Sequence, residues 1–78
     1  MPRLRDMSGR RLVAVFEDFG FSAISQKGSH IKMSRLRGTL QVLVIPNHKS
    51  IAKGTLKDIY TQALKYISER ELKKHFYS

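Results

Sequence analysis

The chain has no cysteine. That removes a disulfide framework, a zinc ribbon and thiol catalysis together, and it accords with a reducing cytoplasm. Proline occurs only at positions 2 and 46, so the single internal proline marks one sharp end to an element. No apolar run approaches the ~18–20 residues needed to cross a bilayer, and the opening MPRLRD lacks a signal-peptide core. The most telling absence is of acids. Between positions 19 and 56 there is neither Asp nor Glu. A two-metal nuclease holds its ions with clustered carboxylates, and this segment has none to cluster, so metal-dependent phosphodiester hydrolysis is not expected. There is no P-loop and no GxGxxG, and His30, His48 and His75 lack metal-ligand spacing. Neither a metal nor a small-molecule cofactor is expected.

What is present fits one domain spanning residues 1–78. Hydrophobic residues make up 41% of the chain, including four Phe and three Tyr, enough for a core rather than disorder. Fifteen Lys and Arg face six Asp and Glu, for a net charge of +9. Such an excess on a small domain points to a polyanion, with nucleic acid ahead of a membrane surface. Its distribution is uneven: residues 1–18 carry +1, residues 57–78 carry +2, and residues 19–56 carry +6. Solubility alone asks for net charge; it gives no reason to empty half a chain of acids.

The periodicity predicts a helix, three strands and a second helix. Ser8 is a candidate N-cap for a helix running to about Phe19, with Leu12, Val13, Phe16 and Phe19 toward the core. Gly20 stands where a helix end favours a residue free to take positive φ. FSAISQ reads as a strand ending at a Lys27-Gly28 turn. In SHIKMSR the alternation sends His30, Lys32 and Ser34 to one face and Ile31 and Met33 to the other. A turn at Leu36-Arg37-Gly38 leads into TLQVLVI, apolar on both faces, so its sidedness stays open. Turns this short imply an antiparallel meander.

After the basic loop PNHKSIAKG, Thr55 and Asp58 form a capping-box pattern. Leu56, Ile59, Tyr60, Ala63, Leu64 and Ile67 then make an apolar helical stripe. Ser68 and Glu71 repeat the capping pattern. A short further helix and one continuous helix are both compatible with it. The expected class is α+β, both helices covering the sheet face that holds Ile31 and Met33. The opposite face is left open, with His30 and Lys32 on it.

RNA carries its own nucleophile, the 2′-hydroxyl, so its cleavage needs no metal. It needs a general base or acid titrating near neutrality and positive charge for the phosphorane, and histidine beside lysines supplies both. His30, with Lys32 on its face and Lys27 across the turn, is the candidate. Gly28 and Ser29 form either an anion-binding corner or a hairpin turn that needs glycine. Lys49, Lys53 and Lys57 flank the second helix's start and are expected as phosphate contacts, positioning RNA without reading bases. His48 is assigned a structural role in its loop, His75 none, and Tyr60 and Tyr66 places in the core or its rim.

The run GFSAISQKGSHIKM resembles the signature of HicA-type (YcfA-like) toxins, in which Gly-Phe leaves the first helix and Gly-Ser-His opens the second strand. IPNHKSIAKGTLKDIYTQA resembles the family's second block, with Pro and His after the third strand and Gly-Thr-Leu entering the second helix. Together the blocks cover residues 20–63, and Ser8-Gly9 extends the likeness toward the start. The resemblance implies a double-stranded-RNA-binding-like α-β-β-β-α fold. It also implies a cytoplasmic mRNA-cleaving toxin neutralised by a HicB-like antitoxin, with His30 the residue tied to activity. Two departures stand out: Ile31 replaces the second His of many members, and ALKYISEREL is longer than the usual turn. The alternatives are a non-catalytic RNA-binding module of the same fold, and an interaction protein whose basic face docks an acidic partner.

Overall fold

A computed structural model describes residues 2–78. Ser8 caps α1 (Gly9–Asp18), its hydroxyl oxygen accepting the Arg11 amide at 3.0 Å. This satisfies one of the donors that a helix start leaves free. Leu12, Val15 and Phe16 are the buried residues of the helix face, while Val13 and Phe19 are only partly buried. The buried face therefore runs through Leu12 and Phe16 and takes in Val15 rather than Val13. The helix ends in paired backbone bonds from the Gly20 amide to the Glu17 carbonyl and from the Phe21 amide to the Phe16 carbonyl. Gly20 takes φ 93 there, and the Phe16 and Phe21 rings meet edge-on at 5.9 Å to close the motif.

Three strands follow as an antiparallel meander in the order β1-β2-β3: β1 (Ser22–Lys27), β2 (His30–Arg37) and β3 (Thr39–Pro46). Paired residues share a face, so the register fixes both sides of the sheet. Met33 pairs with Leu43 and Ile31 with Ile45 on the inner face. His30 pairs with Pro46 and Lys27, Lys32 with Val44 and Ser25, and Leu36 with Leu40 on the outer face. That resolves the third strand: Leu43 and Ile45 are buried, and Val44 and Leu40 face out. In β1 the register shifts between Ala23 and Ser25, so Ile24 is the extra residue of a bulge and joins Ser25 opposite Lys32.

The second helix, α2 (Lys53–Ala63), begins earlier than the capping pattern suggests. Ala52 is its N-cap and offers no side-chain bond; Thr55 lies inside the first turn. Tertiary anchoring overrides the local signal. Ile51 is buried and its amide donates to the Met7 carbonyl at 2.9 Å, which fixes where the chain turns into the helix. Ser68 does start a separate α3 (Glu69–Phe76), though through backbone bonds from Glu71 and Leu72 to its carbonyl rather than its hydroxyl. Glu69 and Glu71 at its start and Lys73, Lys74 and His75 at its end suit the helix dipole.

Leu12 and Phe16 of α1, Leu56, Ile59 and Ala63 of α2, and Leu72 and Phe76 of α3 form one core with Met33, Leu43 and Ile45. Each of these side chains except the small Ala63 contributes about 1.5–3 kcal/mol when fully buried. The fold is α+β, with the α-β-β-β-α order of double-stranded-RNA-binding domains and one added helix. Among the described residues no helix is long and apolar enough to cross a membrane.

Candidate nucleic-acid interface

β2 is the central strand, and His30 is its first residue. The preceding two-residue turn has Gly28 at φ 59 while Ser29 keeps negative φ, the pattern of a type II′ hairpin. Gln26 Nε2 donates to the Gly28 carbonyl at 3.1 Å and braces the turn. Lys27, Gly28, Ser29, His30 and Lys32 are all exposed. His30 thus stands at the mouth of the outer face, with Lys27 beside it and Lys32 two residues along. Gly28 is first a turn residue.

The loop after β3 meets this turn. The Asn47 amide donates to the Ser29 carbonyl at 2.6 Å, which joins the Gly-Ser-His turn to the Pro-Asn-His-Lys loop. The loop's other side rests on α1. The Gly9 amide donates to the His48 carbonyl at 2.8 Å, and a Cβ on Gly9 would lie 2.1 Å from the Pro46 carbonyl oxygen. His48 therefore holds its loop through the backbone, while its side chain is exposed, as is Lys49. Lys57 is exposed on α2.

Two of the six basic residues in the acid-free segment are engaged by partners within the chain, Lys53 at the surface and Arg35 in the interior. Lys53 Nζ pairs with Asp6 at 2.9 Å and donates to the Leu4 carbonyl at 2.7 Å, tying α2 to the chain's opening segment. The hydrogen bond and charge of Lys53 hold the Asp6 carboxyl below its ordinary range. Arg35, on the inner face of β2, is only 7% exposed. Its guanidinium donates to the Phe19 carbonyl and Gln41 Oε1, each at 2.7 Å, and to the Tyr66 carbonyl at 3.0 Å. It also lies 4.7 Å from the centre of the Phe21 ring. Desolvation, with a lesser contribution from Arg37, lowers its pKa; arginine remains charged regardless. The surface charge of the segment is thus carried by Lys27, Lys32, Arg37 and Lys49, all exposed.

Sequence reading missed Arg35 as a core residue. The available signal was its parity with Ile31 and Met33, outweighed by the rarity of buried arginine. His75 is half-buried and packs edge-on to Phe19 at 5.4 Å, a structural role where none was expected. Tyr60 is in the core and Tyr66 on its edge, as the helical pattern suggests. Among the described residues, no three His, Asp or Glu side chains gather as a metal-ion site.

The fold and site define a small, basic α+β domain with an exposed histidine and exposed lysines on an acid-free sheet face. Residues 9–64 match the family described as HicA toxin of bacterial toxin-antitoxin systems. The chain belongs to this family of toxins, and membership implies a cognate antitoxin. No curated protein and no solved structure matches it significantly.

Proposed function

We propose that the chain is a metal-independent endoribonuclease that cleaves mRNA in the cytoplasm and is neutralised by a HicB-like antitoxin. The observation that carries this reading is His30, exposed at the mouth of the outer sheet face between Lys27 and Lys32. The His30 imidazole takes the proton of a 2′-hydroxyl as that oxygen attacks the adjacent phosphorus. The P–O5′ bond breaks, leaving a 2′,3′-cyclic phosphate and a 5′-oxygen that receives a proton from the imidazolium or from water. Lys27 and Lys32 offset the charge that builds on the phosphorane, and Lys49 and Lys57 hold flanking phosphates. The Ser29 and Gly28 backbone shapes the corner in which that phosphate sits. Lys53, bonded to Asp6 and Leu4, is the least available of the lysines expected to touch RNA.

The test is RNA cleavage in excess EDTA by wild type and His30→Ala. Cleavage by wild type alone, with 5′-hydroxyl ends, is expected; equal cleavage by both proteins refutes the role of His30. A second reading, a non-catalytic RNA-binding module, is favoured by one observation: among the described residues no side chain hydrogen-bonds to the His30 imidazole to orient it. That module would bind through the turn after β1 and the start of α2, in a salt-sensitive way, without cutting.

A further inference from the structure

The sheet's two edges, β1 and β3, are built differently. β1 is bulged at Ile24 and ends in Lys27, both features that keep an edge from pairing with another chain. β3 has neither. Thr39–Pro46 carries no charged residue, its register with β2 is unbroken, and its proline stands last. In an antiparallel ladder, successive residues turn their backbone groups alternately toward the neighbouring strand and away from it. The Asn47 amide donates toward β2, to Ser29, so Gln41, Leu43 and Ile45, of the same parity, also bond β2. Leu40, Val42 and Val44 therefore turn theirs to the open edge, where none of the described residues bonds them. Their side chains line the outer face, Leu40 63% and Val44 48% exposed. A straight, uncharged edge with apolar side chains is a template for strand addition.

We propose that two copies of the chain pair through β3, antiparallel about a two-fold axis at Val42, and join their sheets into one. The strand is self-complementary in that register. Val42 meets Val42, Leu40 meets the second copy's Val44, and every outward donor and acceptor of these residues finds a partner. Paired residues share a face, so the outer side chains match as well. Within one chain Lys32 and the Ser34–Val42 row keep Val44 apart from Leu36 and Leu40. Across the axis they meet: Leu36, Leu40 and the second copy's Val44 form one apolar row, and the Val42 pair lies beside it. Charge does not oppose the arrangement. β3 is uncharged, and the Lys32 residues of the two copies lie about 20 Å apart, well beyond the ~8 Å screening length at physiological ionic strength. The pairing also closes. It consumes both β3 edges and leaves only the bulged β1 edges outermost, so a dimer forms rather than a filament. His30 stands on β2, outside the paired strands, and stays open in the dimer.

The experiment measures the solution mass of the purified chain by sedimentation equilibrium, up to about 100 µM because the interface is one strand wide. Wild type should approach twice the 9.0 kDa of a single chain. Val42→Lys sets like charges directly opposite and should raise the dimer dissociation constant about 10-fold or more. Ile24→Lys adds the same charge away from β3 and should leave it unchanged. Thermal unfolding checks that each variant is native. A cross-link tests the register even if Val42→Lys does not fold, since the chain has no cysteine of its own. The paired Val42 Cα atoms would be about 5.5 Å apart, within disulfide reach, and those of Leu40 about 14 Å apart. Mild oxidation should therefore link Val42→Cys into a covalent dimer much faster than Leu40→Cys. Wild type that stays at 9.0 kDa throughout overturns the proposal. So does a dimer that Val42→Lys leaves intact, or a Leu40→Cys chain that links as fast as Val42→Cys. A monomeric wild type whose binding of the purified cognate antitoxin is lost in Val42→Lys would also overturn it, assigning the edge to that partner. None of these readouts involves RNA cleavage, so the pairing and the ribonuclease reading fail separately.

Discussion

The Asn47 amide and the Ser29 carbonyl, 2.6 Å apart, join the two loops of the candidate site into one unit. The hairpin on which His30 stands is consequently braced from the side by the loop that carries Lys49. Both ends of that brace are backbone, so side-chain changes at either residue leave it in place.

Geometry of the turn is therefore the more sensitive target. Gly28 has φ 59, and a Cβ there would meet nothing within 4 Å, so a substitution is opposed by backbone strain alone. Gly28→Ala should lose about 1 kcal/mol of stability, and Gly28→Asn less, because asparagine tolerates this region. Urea denaturation checks the order. Cleavage should fall further in the alanine variant than in the asparagine one if the turn sets the position of His30. Equal loss of activity in both would separate the turn from the site.

Arg35 gives a prediction about stability. One guanidinium satisfies the end carbonyl of α1, the turn between α2 and α3, and Gln41 on β3. Arg35→Met keeps much of the aliphatic packing but leaves these acceptors without their donor. The groove beside them is open and water replaces part of the loss, so about 2–3 kcal/mol is expected. Arg35→Lys should recover little, since a point charge lacks the planar fork that reaches three acceptors. Thermal unfolding of the two variants distinguishes this from a simple need for positive charge, which lysine would meet.

The elements that could be read from sequence are those whose signals are local and agree with packing. Ser8, Gly20 and the Gly28 turn each impose a backbone conformation through their own chemistry, and the structure uses each in that way. The alternation of β2 placed His30 and Lys32 outside and Met33 inside, since period two leaves little freedom once one face is buried. The start of α2 is not legible locally because Met7 and Asp6, which anchor Ile51 and Lys53, lie beyond any local window. The same holds for the charge count: sequence shows six basic residues, and only the fold shows that Arg35 and Lys53 are engaged internally. The sidedness of β3 awaited its register, because a strand apolar on both faces has no alternation to read.

The Lys53–Asp6 pair predicts a pH dependence. The Asp6 carboxyl titrates below its ordinary 3.8, so its contribution is fully present above about pH 4 and is lost as pH falls through the lower, folded value. Asp6→Asn should therefore unfold slightly earlier than wild type at pH 5–7, and the two curves should converge near pH 2. Asp6 is fully exposed, so the gap should also shrink in about 1 M salt. A gap that persisted in acid would assign the effect to something other than this carboxylate.

Gly9 provides the sharpest link between packing and site. A Cβ at this position would sit 2.1 Å from the Pro46 carbonyl oxygen and 2.8 Å from the Asn47 Cα, both backbone, so α1 and the loop must separate to admit it. Gly9→Ala should destabilise the protein by about 1–3 kcal/mol despite alanine's better helix propensity. Ser8→Ala is the control: it removes the cap from Arg11 at a cost of about 1 kcal/mol without touching the loop. If the loop's place beside Ser29 matters to cleavage, Gly9→Ala should lower RNA cleavage by folded protein well below that of Ser8→Ala. Cleavage should be compared at a temperature where both variants are fully native by circular dichroism. Matching activities there would show that Gly9 serves the fold alone.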